Sequence, residues 1–136
     1  MSQHYNQNYT KEEVAVILQR IQDCVRGGKY TIAKYENRKE NLALIREYNL
    51  TSEKQRRILL QIEPEDFSHS LQNTKIGYEY ETLYAFCSQV TLFNFDDKEK
   101  LVDVYTKFNI IDMDRGSRVV AISFHERNKP IDYLFR

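Results

Sequence analysis

VDVYTKFNIIDMDRGSRVVAISFHER, Val102–Arg127, decides the fold of this 136-residue chain. It holds two runs that alternate with period two, the mark of half-buried strands. In the first, Val102, Val104, Phe108 and Ile110 point one way, and Asp103, Tyr105, Lys107 and Asn109 the other. In the second, Val120, Ile122 and Phe124 share a face, with Ser123 and His125 opposite. Asp112–Ser117 supplies the Asp, Gly and Ser of a hairpin connection. The apolar faces should cover a core. The other face then gathers Tyr105, Lys107, Ser123 and His125. A phenol, an ammonium and an imidazole on one sheet face either serve phosphate chemistry or stand as ordinary solvated positions.

Upstream, the period is helical. Thr10 and Glu13 form a capping box, and Val14, Ile17, Leu18, Ile21 and Val25 make one apolar stripe that ends at Gly27-Gly28. A short strand is expected over Lys29–Ala33. A second helix is expected from a cap at Asn37 with Glu40, through Leu42, Ile45 and Tyr48, to a stop at Asn49. A third is capped by Thr51 or Ser52 and carries Ile58, Leu59 and Ile62. Pro64 suits the first position of a short helical turn holding Glu65, Asp66, Phe67 and His69. After Gly77 an aromatic strand is expected, with Tyr78, Tyr80, Tyr84 and Phe86 on one face. Val90–Phe95 extends or pairs with it, Asp96–Lys100 makes a charged turn, and Ile131–Phe135 adds a last edge strand. Residues 1–9 are expected to form a flexible tail, and residues 10–136 one domain. Helices first and an antiparallel meander after define an α+β fold.

Composition agrees with one globular domain: 41% of residues are apolar and 29% charged. No apolar run approaches the ~20 residues of a membrane span, and MSQHYNQNYT is too polar to open a signal peptide. Cys24 and Cys87 match no metal spacing and read as buried thiols of a cytoplasmic protein. Formal net charge is zero, yet uneven. Residues 1–60 hold 11 Lys/Arg against 7 Asp/Glu, a balance of +4, while residues 61–103 hold 3 against 9, a balance of −6. A zero total argues against strong non-specific nucleic-acid binding, which is mostly counterion release, and leaves local basic patches open.

Four segments in this order resemble the MqsR family of RelE-like messenger-RNA interferases. They are Cys24–Thr31 (CVRGGKYT), Asn41–Leu50 with Ile58–Ser70 (NLALIREYNL, ILLQIEPEDFSHS), Val104–Ile110 (VYTKFNI) and Val120–Arg127 (VAISFHER). The resemblance implies a RelE-like fold with N-terminal helices packed on an antiparallel sheet. It also implies metal- and cofactor-free, sequence-selective cleavage of single-stranded messenger RNA. The family's toxins are neutralised by a partner antitoxin, and contact DNA only through it. Carried over by motif, the family's working residues fall on His69, Tyr105, Lys107 and His125. Histidine replaces lysine at 69 and 125. A family glutamine falls at Leu83 or Tyr84.

Such cleavage needs a base for the 2′-hydroxyl, an acid for the leaving oxygen and cations for the charged phosphorane. Histidine, with an ordinary pKa near ~6.5, suits either proton role. That pair would give a bell-shaped pH profile around neutrality. Lys107 and Arg127 suit phosphate contacts, and Tyr105 and Tyr84 suit base stacking or hydrogen bonding. Each residue also has a plain reading: His125 at a strand end, His69 at a helix end, Tyr105 and Tyr84 as sheet packing, Lys107 and Arg127 as solvated charges. The competing function is a toxin-fold module that holds an antitoxin or RNA without cutting. The acidic middle segment and the last strand's edge are the expected antitoxin contacts. His4 is read as inert.

Overall fold

A computed structural model of the chain describes residues 5–34 and 38–136. In chain order the elements are β1 (Tyr5–Asn6), α1 (Lys11–Arg26), β2 (Tyr30–Ile32), α2 (Lys39–Glu47) and α3 (Ser52–Leu60). A 3-10 turn at Pro64–Asp66 leads into β3 (Phe67–Gln72), β4 (Thr82–Phe93), β5 (Glu99–Met113) and β6 (Gly116–Glu126). The class is α+β. The six strands form one open sheet in the order β1-β3-β4-β5-β6-β2, antiparallel except where β2 joins β6.

Local chemistry sets the helix ends. Thr10 accepts from the Glu13 amide at 3.1 Å, and the Glu13 carboxylate accepts from the Thr10 amide at 2.8 Å, which closes the capping box at the start of α1. At its end Gly28 takes φ +72°, while the Gly28 and Lys29 amides donate to the carbonyls of Val25 and Cys24, a Schellman closure. Thr51 caps α3 through the Lys54 amide at 3.2 Å. Asn49 stops α2 in the left-handed region, at φ 48°.

One sheet face carries the core. Phe67, Phe86, Phe108 and Phe124, one from each central strand, are fully buried, and the first three make edge-to-face contacts with centroids 5.3 and 6.0 Å apart. Val14, Leu18, Ile21 and Val25 of α1 join the same core. Burying a phenylalanine contributes up to ~3 kcal/mol, and an aromatic pair about 0.5–1.5 kcal/mol more.

Two β-bulges break the alternation. On β3, Phe67 pairs with Phe86 and His69 with Ala85, so Ser68 is the extra residue. On β6, Ala121 pairs with Phe108 and Ser123 with Lys107, so Ile122 is the extra residue. A bulge reverses the face of everything beyond it. Phe67 and His69 would otherwise share the core face, as would Ala121 and His125. Each histidine lies on the opposite face because a bulge precedes it.

Several expectations are corrected. Val119 and Ala121, with Phe124, fill the core on β6; Val120 and Ile122 do not, because the Ile122 bulge shifts the phase. His69 is on a strand, since the Pro64 turn lasts only to Asp66. The buried face of α2 is Asn41, Leu44 and Tyr48, with Leu42 only partly buried. The expected cap at Asn37 and the inert His4 lie outside the described residues. Tyr78 and Tyr80 precede β4 and are exposed at 43% and 77%, because the strand starts at Thr82. The tail is engaged from Tyr5 onward. Tyr5 and Asn6 pair with Leu71 and Ser70, Gln7 donates to the Ser68 carbonyl at 3.0 Å, and Tyr9 packs edge-on against Phe67. Ile131–Phe135 forms no strand, since β1 already holds the outer edge of β3. It crosses the sheet end through Leu134 N–H to the Phe67 carbonyl, Tyr133 O–H to the Cys87 carbonyl at 3.0 Å, and an Arg136–Asp66 ion pair at 2.7 Å. No helix among the described residues is long and apolar enough to cross a membrane.

Candidate active site

The sheet face opposite the core holds a groove of about 560 Å³. His69, Tyr105, Lys107, His125 and Arg127 all line it. Register explains the convergence. Lys107 pairs with Ala85 on one side and Ser123 on the other, His69 pairs with Ala85, and Tyr105 pairs with His125. His69 and Lys107 therefore flank one alanine two strand spacings apart, ~10 Å between main chains. Ala85 and its neighbour Cys87 are fully buried and small, which lets the larger side chains close over them.

Arg38 and Glu40 from the start of α2 line one wall of this groove, and Tyr5, Gln7, Ile131 and Asp132 another. None of these stood out in sequence as a site residue. Arg38 and Glu40 belong to a helix start, and the others reach the groove only through the engaged tails, which no local pattern encodes.

His69 is 6% exposed. The Tyr5 ring stacks on it at 3.9 Å, and its Nδ1 lies 2.8 Å from the Ser68 hydroxyl. Burial, helped by the Lys107 ammonium, pulls the imidazole from its ordinary 6.5 to about 4. It is neutral at neutral pH. Burial also lowers the Lys107 pKa, with the Arg38 charge adding to the effect, and Lys107 has no ion-pair partner among the described residues. Burial pushes the Tyr105 phenol up to about 12, which keeps it a hydrogen-bond donor. His125 sits 5.4 Å from the Tyr105 ring centroid. Its Nδ1 donates to the Glu126 carbonyl at 2.9 Å and is 3.9 Å from the Glu40 carboxylate. A carbonyl only accepts, so the His125 proton is on Nδ1, and Nε2 is left for other work.

Tyr84 departs from its expected place, and Arg127 keeps its place with other partners already bound. Tyr84 is not in the groove. It pairs with Phe108, so its phase puts it on the core face, and it lines a separate pocket of about 380 Å³ with Tyr5, Tyr9 and Ser70. Burial raises its pKa. Arg127 is in the groove, but its Nε donates to Asp103 at 3.3 Å and its Nη1 to the Lys129 carbonyl at 3.0 Å, so part of its charge is already engaged.

The buried imidazole has a stability consequence. Its folded pKa is depressed, so as pH falls the unfolded chain takes up the proton first, near 6.5, and the folded chain only near 4. Stability contributed above 6.5 is lost across that window, by up to ~3 kcal/mol. Urea unfolding at pH 7 and at about pH 4.5 should show the parent losing roughly 2–3 kcal/mol more than His69→Gln. Equal losses in the two proteins would contradict the buried neutral assignment.

No family model, curated protein or solved structure matches the chain.

Proposed function

We propose that this chain is a RelE-like toxin of the MqsR kind: an endoribonuclease that cleaves single-stranded messenger RNA without a metal. The observation that carries the reading is the placing of two histidines, His69 and His125, in one groove beside Lys107, which has no ion-pair partner among the described residues. Neutral His69 removes the 2′-hydroxyl proton at Nε2. The oxygen attacks the adjacent phosphorus, the bond to the 5′-oxygen breaks, and charged His125 gives its Nε2 proton to that oxygen. The products are a 2′,3′-cyclic phosphate and a 5′-hydroxyl. Lys107 stabilises the phosphorane charge, Tyr105 donates to a phosphate oxygen or stacks on a base, and Arg127 orients a flanking phosphate. An antitoxin is the proposed protein partner. Its strand-addition sites are the open edges of β1 and β2, which replace the last-strand edge expected from sequence.

A second reading, a silent module that holds RNA or antitoxin, is favoured by one observation. His69 Nε2 is buried with no partner among the described residues and the Tyr5 ring stacks on the imidazole, so the site as it stands is closed to a substrate hydroxyl. Purified protein incubated with single-stranded RNA in EDTA separates the two. The expected result is cleavage with cyclic-phosphate ends. Strict dependence on added magnesium would sink the mechanism, and binding without cleavage would favour the silent module.

A further inference from the structure

The Ser68 hydroxyl lies 2.8 Å from the Asp132 carbonyl and 2.8 Å from His69 Nδ1. The carbonyl has no proton, so Ser68 must spend its only hydrogen there. Its oxygen can then only accept from the ring, which requires a proton on His69 Nδ1. Nε2 keeps the lone pair, and Nε2 is the ring atom with no partner among the described residues. Such a buried, unpaired acceptor is costly unless a donor arrives. The Asp132 carbonyl is itself held from several sides. Gln7 donates to it at 3.3 Å, and Tyr133, Leu134 and Arg136 pin the segment that carries it to Cys87, Phe67 and Asp66. Ser68 is also the bulge residue that turns His69 onto the groove face.

We infer that Ser68 is a positioning residue: committed to the Asp132 carbonyl, it holds His69 as the Nδ1–H tautomer and keeps Nε2 as a free acceptor for a ligand hydroxyl or N–H. The tautomer follows from hydrogen-bond geometry alone. Its catalytic meaning, an imidazole preset to take a ribose 2′-hydroxyl proton, rests on the ribonuclease reading. The C-terminal segment then acts on the site through one main-chain oxygen, without contributing a side chain to the proton transfer.

The test is nitrogen-15 NMR of the full chain labelled at histidine, at neutral pH. Two-bond couplings to the ring hydrogens should show His69 protonated on Nδ1, with a pyridine-like Nε2. Protonation on Nε2 overturns the inference from the parent protein alone, even if variants fail to fold. In Ser68→Ala the preference for Nδ1–H should be lost, and in Ser68→Thr, which keeps the hydroxyl, it should return. An unchanged tautomer in Ser68→Ala overturns the role of Ser68. In the cleavage assay, Ser68→Ala should lose roughly 10²-fold or more in kcat with little change in KM, since a wrong tautomer in a serine-protease triad costs ~10⁴-fold. An Nδ1–H tautomer in a protein that cuts no RNA leaves this assignment standing and removes the ribonuclease reading.

Discussion

His125→Ala is expected to slow RNA cleavage by about 10²–10⁴-fold, the usual weight of one proton-transfer group. His69→Ala should fall in the same range, and the double variant should lose much less than the product, because the two act on one transition state. Lys107→Ala should cost about 10²–10³-fold, as loss of a preorganised charge does. The pH profile separates the roles. Sequence alone led to a bell around neutrality. Burial instead moves the acid limb down toward about 4, because His69 must be neutral and is protonated only there. A bound phosphodiester opposes part of that shift, since negative charge favours the imidazolium. In His125→Lys the alkaline limb should move upward if the replacement amine still protonates the leaving oxygen. The measurement is single-turnover cleavage from about pH 4 to 9 for the parent and the five variants. Parental rates in both single alanine variants would place the chemistry elsewhere.

Asn41→Ala is expected to destabilise the fold by about 3–5 kcal/mol. Asn41 is 1% exposed, and its side-chain amide is the joint between α2 and β6. The Nδ2 group donates to the Ala33 carbonyl at 2.8 Å and the Ile122 carbonyl at 3.0 Å, while Oδ1 accepts from the Phe124 amide at 2.8 Å. Ile122 is the bulge residue of β6 and Phe124 lies two residues on, so this one amide ties the bulged stretch of β6 to the main chain just past β2. Truncation leaves three main-chain groups without partners in a place closed to water, each at about 1–3 kcal/mol. Asn41→Asp should be as damaging, because a carboxylate cannot donate to two carbonyls. Chemical denaturation of the parent and both variants is the check. A loss under about 1 kcal/mol, the net worth of one ordinary hydrogen bond, would mean the bulge does not depend on Asn41.

What sequence could reveal of this molecule is what local patterns encode. Thr10 with Glu13, and Gly27-Gly28 after an apolar stripe, mark α1 because caps and periodicity act within a few residues. The even spacing of Val102, Val104 and Phe108 placed Tyr105 and Lys107 on one face, since β5 runs unbroken through them. The face of His125 is legible from Phe124, since both lie on the same side of the bulge. The faces of Val120 and Ile122 are not legible from Phe124, because the bulge at Ile122 intervenes. His69 reads as part of the Pro64 turn because nothing local marks Asp66 as its last residue, and nothing in Ser68 announces the bulge that sets the face of His69. Tyr84 was set with the substrate contacts because its own strand does not say which face holds the core. The walls of the groove were out of reach: Gln7, Arg38 and the Asp132 carbonyl arrive from distant parts of the chain, one of them as main chain.

The two bulges also give each strand a spare residue. Removing Ile122 would let Ala121 keep Phe108 as its partner and Ser123 keep Lys107, with Phe124 still facing the core and His125 still facing the groove. A straight-stranded protein of this architecture would thus be one residue shorter in β6 and one shorter in β3, yet would display the same faces. Matched to such a protein strand by strand without gaps, counting from the residues before each bulge, this chain would have His69 and His125 each set against a core position. The correspondence is restored only by single gaps at 68 and 122, so in these two strands positional homology has to be counted outward from the bulges.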